Sequence, residues 1–240
     1  NFFVILAAGK GSRFRSKHKK QYILYRNLRL FEHSIYKSLK TKLFKKIVLV
    51  VDNPKKIKNI YSKNLKIIKG GFERSDSSLL ALKYIKKFKP KNILIHDAAR
   101  PNFSIKLLSS ILKKMKHARA VVPKVRVEDA TKQIIDSSKE EYIVGKEREN
   151  LFLTQTPQAF HLKEIYNLHK INSGKYKDDD ISLYMDLNKV HFIDGEKSNF
   201  KITDQSDFNM LKRYFKTNIN VGIGFDVHRL VPNRKLFLGG

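Results

Sequence analysis

Apolar residues gather in short runs at 2–6, 47–51, 65–68, 93–95 and 120–122, with helix-length amphipathic stretches between them. That alternation predicts βαβ units, an α/β fold whose mostly parallel twisted sheet is flanked by helices. Within 75–88, Leu79, Leu82 and Ile85 recur every third position while Lys83, Lys86 and Lys87 fall between them, which predicts a helix burying one stripe. After Pro123 the rhythm changes: short alternating runs at 131–135 and 142–144 surround the polar Asp136-Ser137-Ser138-Lys139 and predict a protruding β-hairpin arm. Helices are expected at 162–171 and 181–187, a strand at 190–193, and a last helix capped by Asp204 and running through 214. The main domain is therefore expected over 1–217, with its arm at about 129–150. Residues 218–240 begin a new strand-like run, too short to bury a core, and read as the opening of a second domain.

Composition adds limits. The 240 residues, 41% of them hydrophobic, suffice for one sizeable core. No apolar run approaches the ~18–20 residues of a membrane span. The first residues show neither a basic segment nor a small-residue cleavage site, so a cytoplasmic enzyme is expected. With no cysteine, disulfides and thiolate metal sites are excluded. Fifty Lys and Arg against 22 Asp and Glu give a net charge of +28, which has two readings. One is a polyanion-binding role; the other, favoured by the even spread of lysines beside Ile, Leu and Phe, is a bias toward solvated lysine. Either way the field favours anionic substrates such as nucleotides and sugar phosphates, with no membrane partner.

Four clusters carry candidate chemistry. Directly after the first strand stands Ala7-Ala8-Gly9-Lys10-Gly11-Ser12-Arg13, followed by Lys19-Lys20-Gln21-Tyr22. Small residues let backbone N–H groups approach a phosphate chain, and Arg13 with Lys20 adds fixed positive charge. Phe14 breaks the dinucleotide fingerprint, and Gly11 after Lys10 breaks the P-loop pattern. The second cluster, 70–77, places Gly71 and Ser77 at a turn entering a helix, suited to a base edge or ribose; a simply capped helix is the bland alternative. In the third, Ile93-Leu94-Ile95-His96-Asp97-Ala98-Ala99-Arg100-Pro101, a buried strand ends in charge. Asp97 is placed there to hold Mg²⁺ or a ribose hydroxyl with Arg100 nearby, a structural Asp-Arg pair being the alternative; His96 reads as a packing residue. The fourth, Asn199-Phe200-Lys201-Ile202-Thr203, offers Lys201 to the same pocket. The acids Asp178-Asp179-Asp180 before Ile181 read as charge at a helix N-terminus rather than a metal site.

Taken in order, Ala-Ala-Gly-x-Gly-x-Arg, Lys-Gln-Tyr, Gly-Gly-x-x-Arg-x-x-Ser, His-Asp-Ala-Ala-Arg-Pro, Thr-Pro-Gln-x-Phe and Asn-x-Lys-Ile-Thr resemble the methylerythritol phosphate cytidylyltransferase family. The resemblance implies a Rossmann-like nucleotidyltransferase fold and transfer of CMP from CTP to 2-C-methyl-D-erythritol 4-phosphate, releasing pyrophosphate, with Mg²⁺. It implies Arg13, Lys20 and Lys201 as catalytic residues and cytidine contacts at Ala7, Ala8, Gly9, Gly11, Gly71, Ser77, Asp97, Ala98 and Arg100. The acceptor would meet Lys201, Arg148 and Thr131, and the arm would be exchanged in a homodimer. Two departures stand out: Lys19 where the family usually has Pro, and Asp129-Ala130-Thr131-Lys132 where it has Asp-Thr-x-Lys. Residues 222–229, Gly-Ile-Gly-Phe-Asp-Val-His-Arg, resemble the opening of a cyclodiphosphate synthase, in which Asp226 and His228 would be two of three zinc ligands, the third lying beyond Gly240. That similarity implies a fused two-enzyme polypeptide.

Overall fold

The computed structural model describes residues 1–9, 14, 19–58, 60, 62–136, 141–144, 148–173, 179–184, 190–214 and 232, with backbone alone at 133–136, 141–144, 148 and 214. Its centre is β1 (Phe2–Ala7), all six residues of which are buried. β1 pairs in parallel with β4 (Lys46–Val51) on one side and β6 (Asn92–Asp97) on the other, and β4 pairs in parallel with β5 (Leu65–Lys69). Strands covered on both faces need no polar alternation, which is why these runs are almost wholly apolar.

The period of two decides which helix each residue meets. Phe2, Val4 and Leu6 share one core with Val48, Val50, Ile93 and Ile95, closed by Ala81, Leu82 and Ile85 of α2 (Arg74–Lys86) and Leu162 and Ile165 of α4 (Leu162–Ile171). Phe3, Ile5 and Ala7 point the other way, to Phe31 and Ile35 of α1 (Leu30–Thr41) and Leu107, Leu108 and Ile111 of α3 (Ile105–Lys114). A small third cluster joins Phe14 and Leu30 to Ile202 and to Phe208 and Leu211 of α5 (Gln205–Tyr214). Asp204 accepts the backbone N–H groups of Ser206 and Asp207, the cap expected for that helix.

The rest of the sheet is mixed. β7 (Ala120–Arg126) carries β12 (Val190–Asp194) in parallel on one edge. Along its other edge run two short antiparallel strands, β11 (Gln158–His161), which bridges β7 to β6, and β10 (Phe152–Thr154). The arm forms as β8 (Lys132–Asp136) and β9 (Glu141–Val144), an antiparallel pair in a sheet of its own. A two-stranded ribbon of β2 (Leu24–Tyr25) and β3 (Leu28–Arg29) precedes α1.

Two expectations are corrected. The helix at 181–187 is a single 3-10 turn over Ile181–Leu183, and Tyr184 is already extended; 185–189 lie outside the described residues. Of the acids before it, Asp179 accepts the backbone N–H of Ser182 inside the turn, as expected, Asp180 turns away from it, and Asp178 lies outside the described residues. Asp180 is 1% exposed and pairs with side chains of α2 and α4, while Asp179 accepts from Thr154, Gln158 and Ser182. Residues 218–240 lie outside the described residues except Pro232.

Candidate active site

The carboxyl ends of β1, β4, β5 and β6 lie side by side, the place where open α/β sheets bind ligands. At the end of β1, the Gln21 amide donates to the carbonyls of Ala7 at 2.9 Å and Gly9 at 3.0 Å, clamping the start of the glycine loop. Gln21 lies in a 3-10 turn, Lys20–Tyr22, that Lys20 opens. The turn is itself anchored to Asp52 after β4, which accepts from the Tyr22 hydroxyl at 2.5 Å and pairs with Lys19 at 2.8 Å. Lys19, the departure from the family's Pro, thus has a partner. Burial opposes ionisation of Asp52, yet the bonds from Lys19 and Tyr22 keep its carboxyl below the usual range. Among the described residues nothing stands within 4 Å of where a side chain on Gly9 would begin. Arg13 and Gly11 lie outside the described residues, but Phe14 is buried, edge-on to Phe208 of α5 at 6.4 Å.

The second wall is the β5–α2 turn. A Cβ on Gly70 would stand 2.4 Å from that of Ala8 and 2.7 Å from the Ser77 hydroxyl, so only glycine lets the ends of β1 and β5 and the first turn of α2 converge. The Gly71 N–H donates to the Ser77 hydroxyl at 3.1 Å. Ala98 follows β6, and its N–H donates to the carbonyl of Leu6. The structure thereby brings together Ala7, Ala8, Gly9, Gly71, Ser77, Asp97 and Ala98.

Charge concentrates at Asp97. Its Oδ1 accepts from Nε of Arg74 at 3.0 Å and its Oδ2 lies 2.8 Å from Nζ of Lys201. Burial opposes ionisation, but Arg74 and then Lys201 hold the carboxyl well below the ordinary range. The residues present therefore do not build a magnesium site at Asp97. Both oxygens already face cations, and no group of three acidic or histidine side chains among the described residues stands ready for a metal. The first residue of α2 is Arg74, and a cation at a helix N-terminus opposes the dipole unless an anion compensates. Here two anions do, for Nη1 of Arg74 also lies 2.8 Å from Oδ2 of Asp180, whose other oxygen meets His169 at 2.8 Å. No role was expected of Arg74; its fixed place in Gly-Gly-x-x-Arg-x-x-Ser was the available signal.

Lys201 is positioned by its neighbours. Asn199 is fully buried and donates to the carbonyl of Thr156; Ile202 is fully buried, with its N–H on the carbonyl of Ala99. Between them the Lys201 side chain stays 37% exposed while its ammonium meets the buried Asp97, which distinguishes it from an ordinary surface lysine. Arg100 serves the same segment: its guanidinium donates to the carbonyls of Asn199 at 2.8 Å and Thr154 at 3.5 Å. His96 is a packing residue as expected. Its ring contacts Arg100 and Thr156, and burial pushes it down to about 3. Thr131 and Arg148 flank the two strands of the arm; of Arg148 only the backbone is described. Asp226 and His228 lie outside the described residues.

Comparison with known proteins agrees with this geometry. The family model described as 2-C-methyl-D-erythritol 4-phosphate cytidylyltransferase matches residues 2–217. A "Bifunctional enzyme IspD/IspF" from Pelagibacter ubique is 44% identical over 99% of the chain, which spans 62% of that relative's length. A 2-C-methyl-D-erythritol 4-phosphate cytidylyltransferase from Thermotoga neapolitana is 31% identical, covering 88% of this chain and 95% of its own. Among solved structures, the bifunctional IspDF from Campylobacter jejuni superposes with a TM-score of 0.74 at 27% identity, over 86% of this chain and 53% of that one. The 4-diphosphocytidyl-2C-methyl-D-erythritol synthase from Anaerococcus prevotii gives 0.75 at 26% identity, over 89% and 96%.

Proposed function

Because the chain belongs to the 2-C-methyl-D-erythritol 4-phosphate cytidylyltransferase family, we propose that it transfers CMP from CTP to 2-C-methyl-D-erythritol 4-phosphate. The observation that carries the reading is the convergence of the glycine loop, the Gly71–Ser77 turn and the Asp97–Lys201 pair at one sheet edge, inside the matched span. An oxygen of the acceptor phosphate attacks the α-phosphorus of CTP; the bond from that phosphorus to the bridging oxygen breaks, and pyrophosphate leaves. The attacking phosphate is already an anion, so the step asks for alignment and neutralised repulsion rather than a general base. Arg13 and Lys20 supply charge around the triphosphate, and Lys201, oriented by Asp97, meets the acceptor phosphate. Ala7, Ala8, Gly9, Gly11, Gly71, Ser77 and Ala98 form the cytidine side; Arg100 supports it by holding the segment that bears Lys201. Mg²⁺ would enter with the nucleotide phosphates and neutralise part of their charge, since no cluster of acidic or histidine side chains among the described residues stands ready for it.

The arm pairs with no strand of the main sheet, which supports a homodimer in which Thr131 and Arg148 serve a partner's pocket. Among the described residues no helix is long and apolar enough to cross a membrane, in keeping with a cytoplasmic enzyme. The test is pyrophosphate release with Mg²⁺ and 2-C-methyl-D-erythritol 4-phosphate, comparing CTP with ATP, GTP and UTP. Release is expected with CTP alone and only when the acceptor is present. Release with another nucleotide, or without that acceptor, would overturn the reading.

A further inference from the structure

Arg74 stands between two carboxylates with one edge of its guanidinium half used. Nε donates to Oδ1 of Asp97 and Nη1 forms an ion pair with Oδ2 of Asp180 at 2.8 Å without hydrogen-bond alignment, while Nη2 is buried and without a hydrogen-bond partner among the described residues. Nε and Nη2 share the edge that grips a carboxylate in a two-pronged fork, so Arg74 and Asp97 make only half of the fork open to them. The other oxygen of Asp97 is thereby left to Lys201, 2.8 Å away. The carboxylate on the other side of Arg74 is Asp180. It draws the guanidinium from the opposite side and is itself fixed by His169. Asp180 is 1% exposed and His169 4%, so neither meets a ligand directly.

We propose that Asp180, held by His169, is a positioning residue for Lys201: by engaging Arg74 it stops the guanidinium from closing on Asp97 and displacing the lysine. Two anions and two cations alternate along Asp180, Arg74, Asp97 and Lys201, with His169 on Asp180 at the buried end, so a change there reaches the partly exposed ammonium. The inference rests on the cytidylyltransferase reading only for the substrate that Lys201 meets.

The experiment has a chemical arm and a kinetic arm. In the first, reductive methylation of the full chain is followed by mass spectrometry, with exposed Lys106 as the internal reference. Asp180→Asn should speed modification of Lys201 relative to Lys106, because Arg74 takes Asp97 from it. His169→Leu should slow it, because Asp180 then leans on Arg74 alone and draws it from Asp97. A merely loosened structure would speed both. In the kinetic arm, Asp180→Asn should raise KM for the methylerythritol phosphate by about tenfold and leave KM for CTP within about twofold. In a Lys201→Gln background the same substitution should change the acceptor KM by less than about twofold, since coupled residues are not additive. Unchanged Lys201 modification, acceleration in both variants, or equal acceptor effects in both backgrounds would each overturn the proposal. If Asp180→Asn does not fold, the sign of the His169→Leu effect decides. A shift in Lys201 modification in a chain that does not turn over the proposed substrates would uphold the relay and sink the substrate reading instead.

Discussion

Asp52 and Asp97 follow or end β4 and β6, the two strands on either side of β1, and each meets a lysine ammonium at 2.8 Å. Their second partners differ. Asp52 accepts from the neutral Tyr22 hydroxyl, whereas Asp97 accepts from a guanidinium that a further buried carboxylate also holds. Their access to water differs too: the Asp52 side chain is 24% exposed and that of Asp97 11%. The same lysine contact therefore has two meanings. At Asp52 water and salt compete with the lysine, and the pair mainly tethers the turn that bears Lys20. At Asp97 the carboxylate and the Arg74 guanidinium are largely shielded from water, although Lys201 is as exposed as Lys19, so removing one of the two buried charges leaves the other poorly compensated.

The largest expected effect comes from breaking the buried side. Asp97→Asn leaves Lys201 and one edge of Arg74 without an anion and should cost about 3–5 kcal/mol, on the scale of one partner removed from a buried ion pair. A urea unfolding curve measures it, and a loss under ~1 kcal/mol would erase the distinction between the two carboxylates. On the exposed side the loss should appear in rate and not in stability. Lys20→Ala and Arg13→Ala should each reduce turnover by at least ~100-fold, the scale of one lost transition-state contact. Their urea midpoints should stay where they were; near-unaltered rates would remove these cations from the mechanism.

The same contrast explains what the sequence disclosed. The central strands were legible because burial on both faces writes an unbroken apolar run, and α4 was found at its observed ends because it buries one clear stripe. The strands β10 and β11 were not, since three or four residues carry no period of their own and take their pairing from β7 and β6. The exposed side of the site could be read from its spacing, Gly9, Lys20 and Gln21 lying close along the chain. The buried side could not. Arg74 lies far along the chain from His169 and Asp180, and each alone has an ordinary explanation as a helix or surface charge. Burial gives them meaning, and burial of a charge is a tertiary fact.

His96 provides a titration specific to the buried side, since it precedes Asp97 on β6 and Asp52 has no such neighbour. Burial lowers the folded imidazole to about 3, while the unfolded chain has the ordinary value of about 6.5. Its contribution to stability is thus fully present above about pH 6.5 and is lost as pH falls toward about 3, because the unfolded chain takes up a proton that the native one refuses. The slope is about 1.4 kcal/mol per pH unit within that window. His33 and His161 are also lowered by burial, so the informative quantity is a difference between proteins. His96→Gln, followed by urea midpoints between about pH 4 and 6.5, should lose stability at neutral pH yet fall less steeply on acidification, by about one proton. Parallel slopes would mean that His96 charges in the native state.

The smallest effect tests the other half of the comparison. Asp52→Asn keeps a hydrogen-bond acceptor for Tyr22 and removes only the charge facing Lys19, a pair that water already reaches on both partners. Stability should change by less than about 1 kcal/mol, and this small loss should shrink further in molar salt, where the screening length falls to about 3 Å. Turnover should fall by a few-fold at most, since Gln21 still clamps the carbonyls of Ala7 and Gly9 and the cations of the loop remain. A stability loss as large as that of Asp97→Asn would make Asp52 a second buried anchor. The two sides would then differ in their ligands and not in their energetics, and the division between a screened tether and an unscreened relay would have to be abandoned.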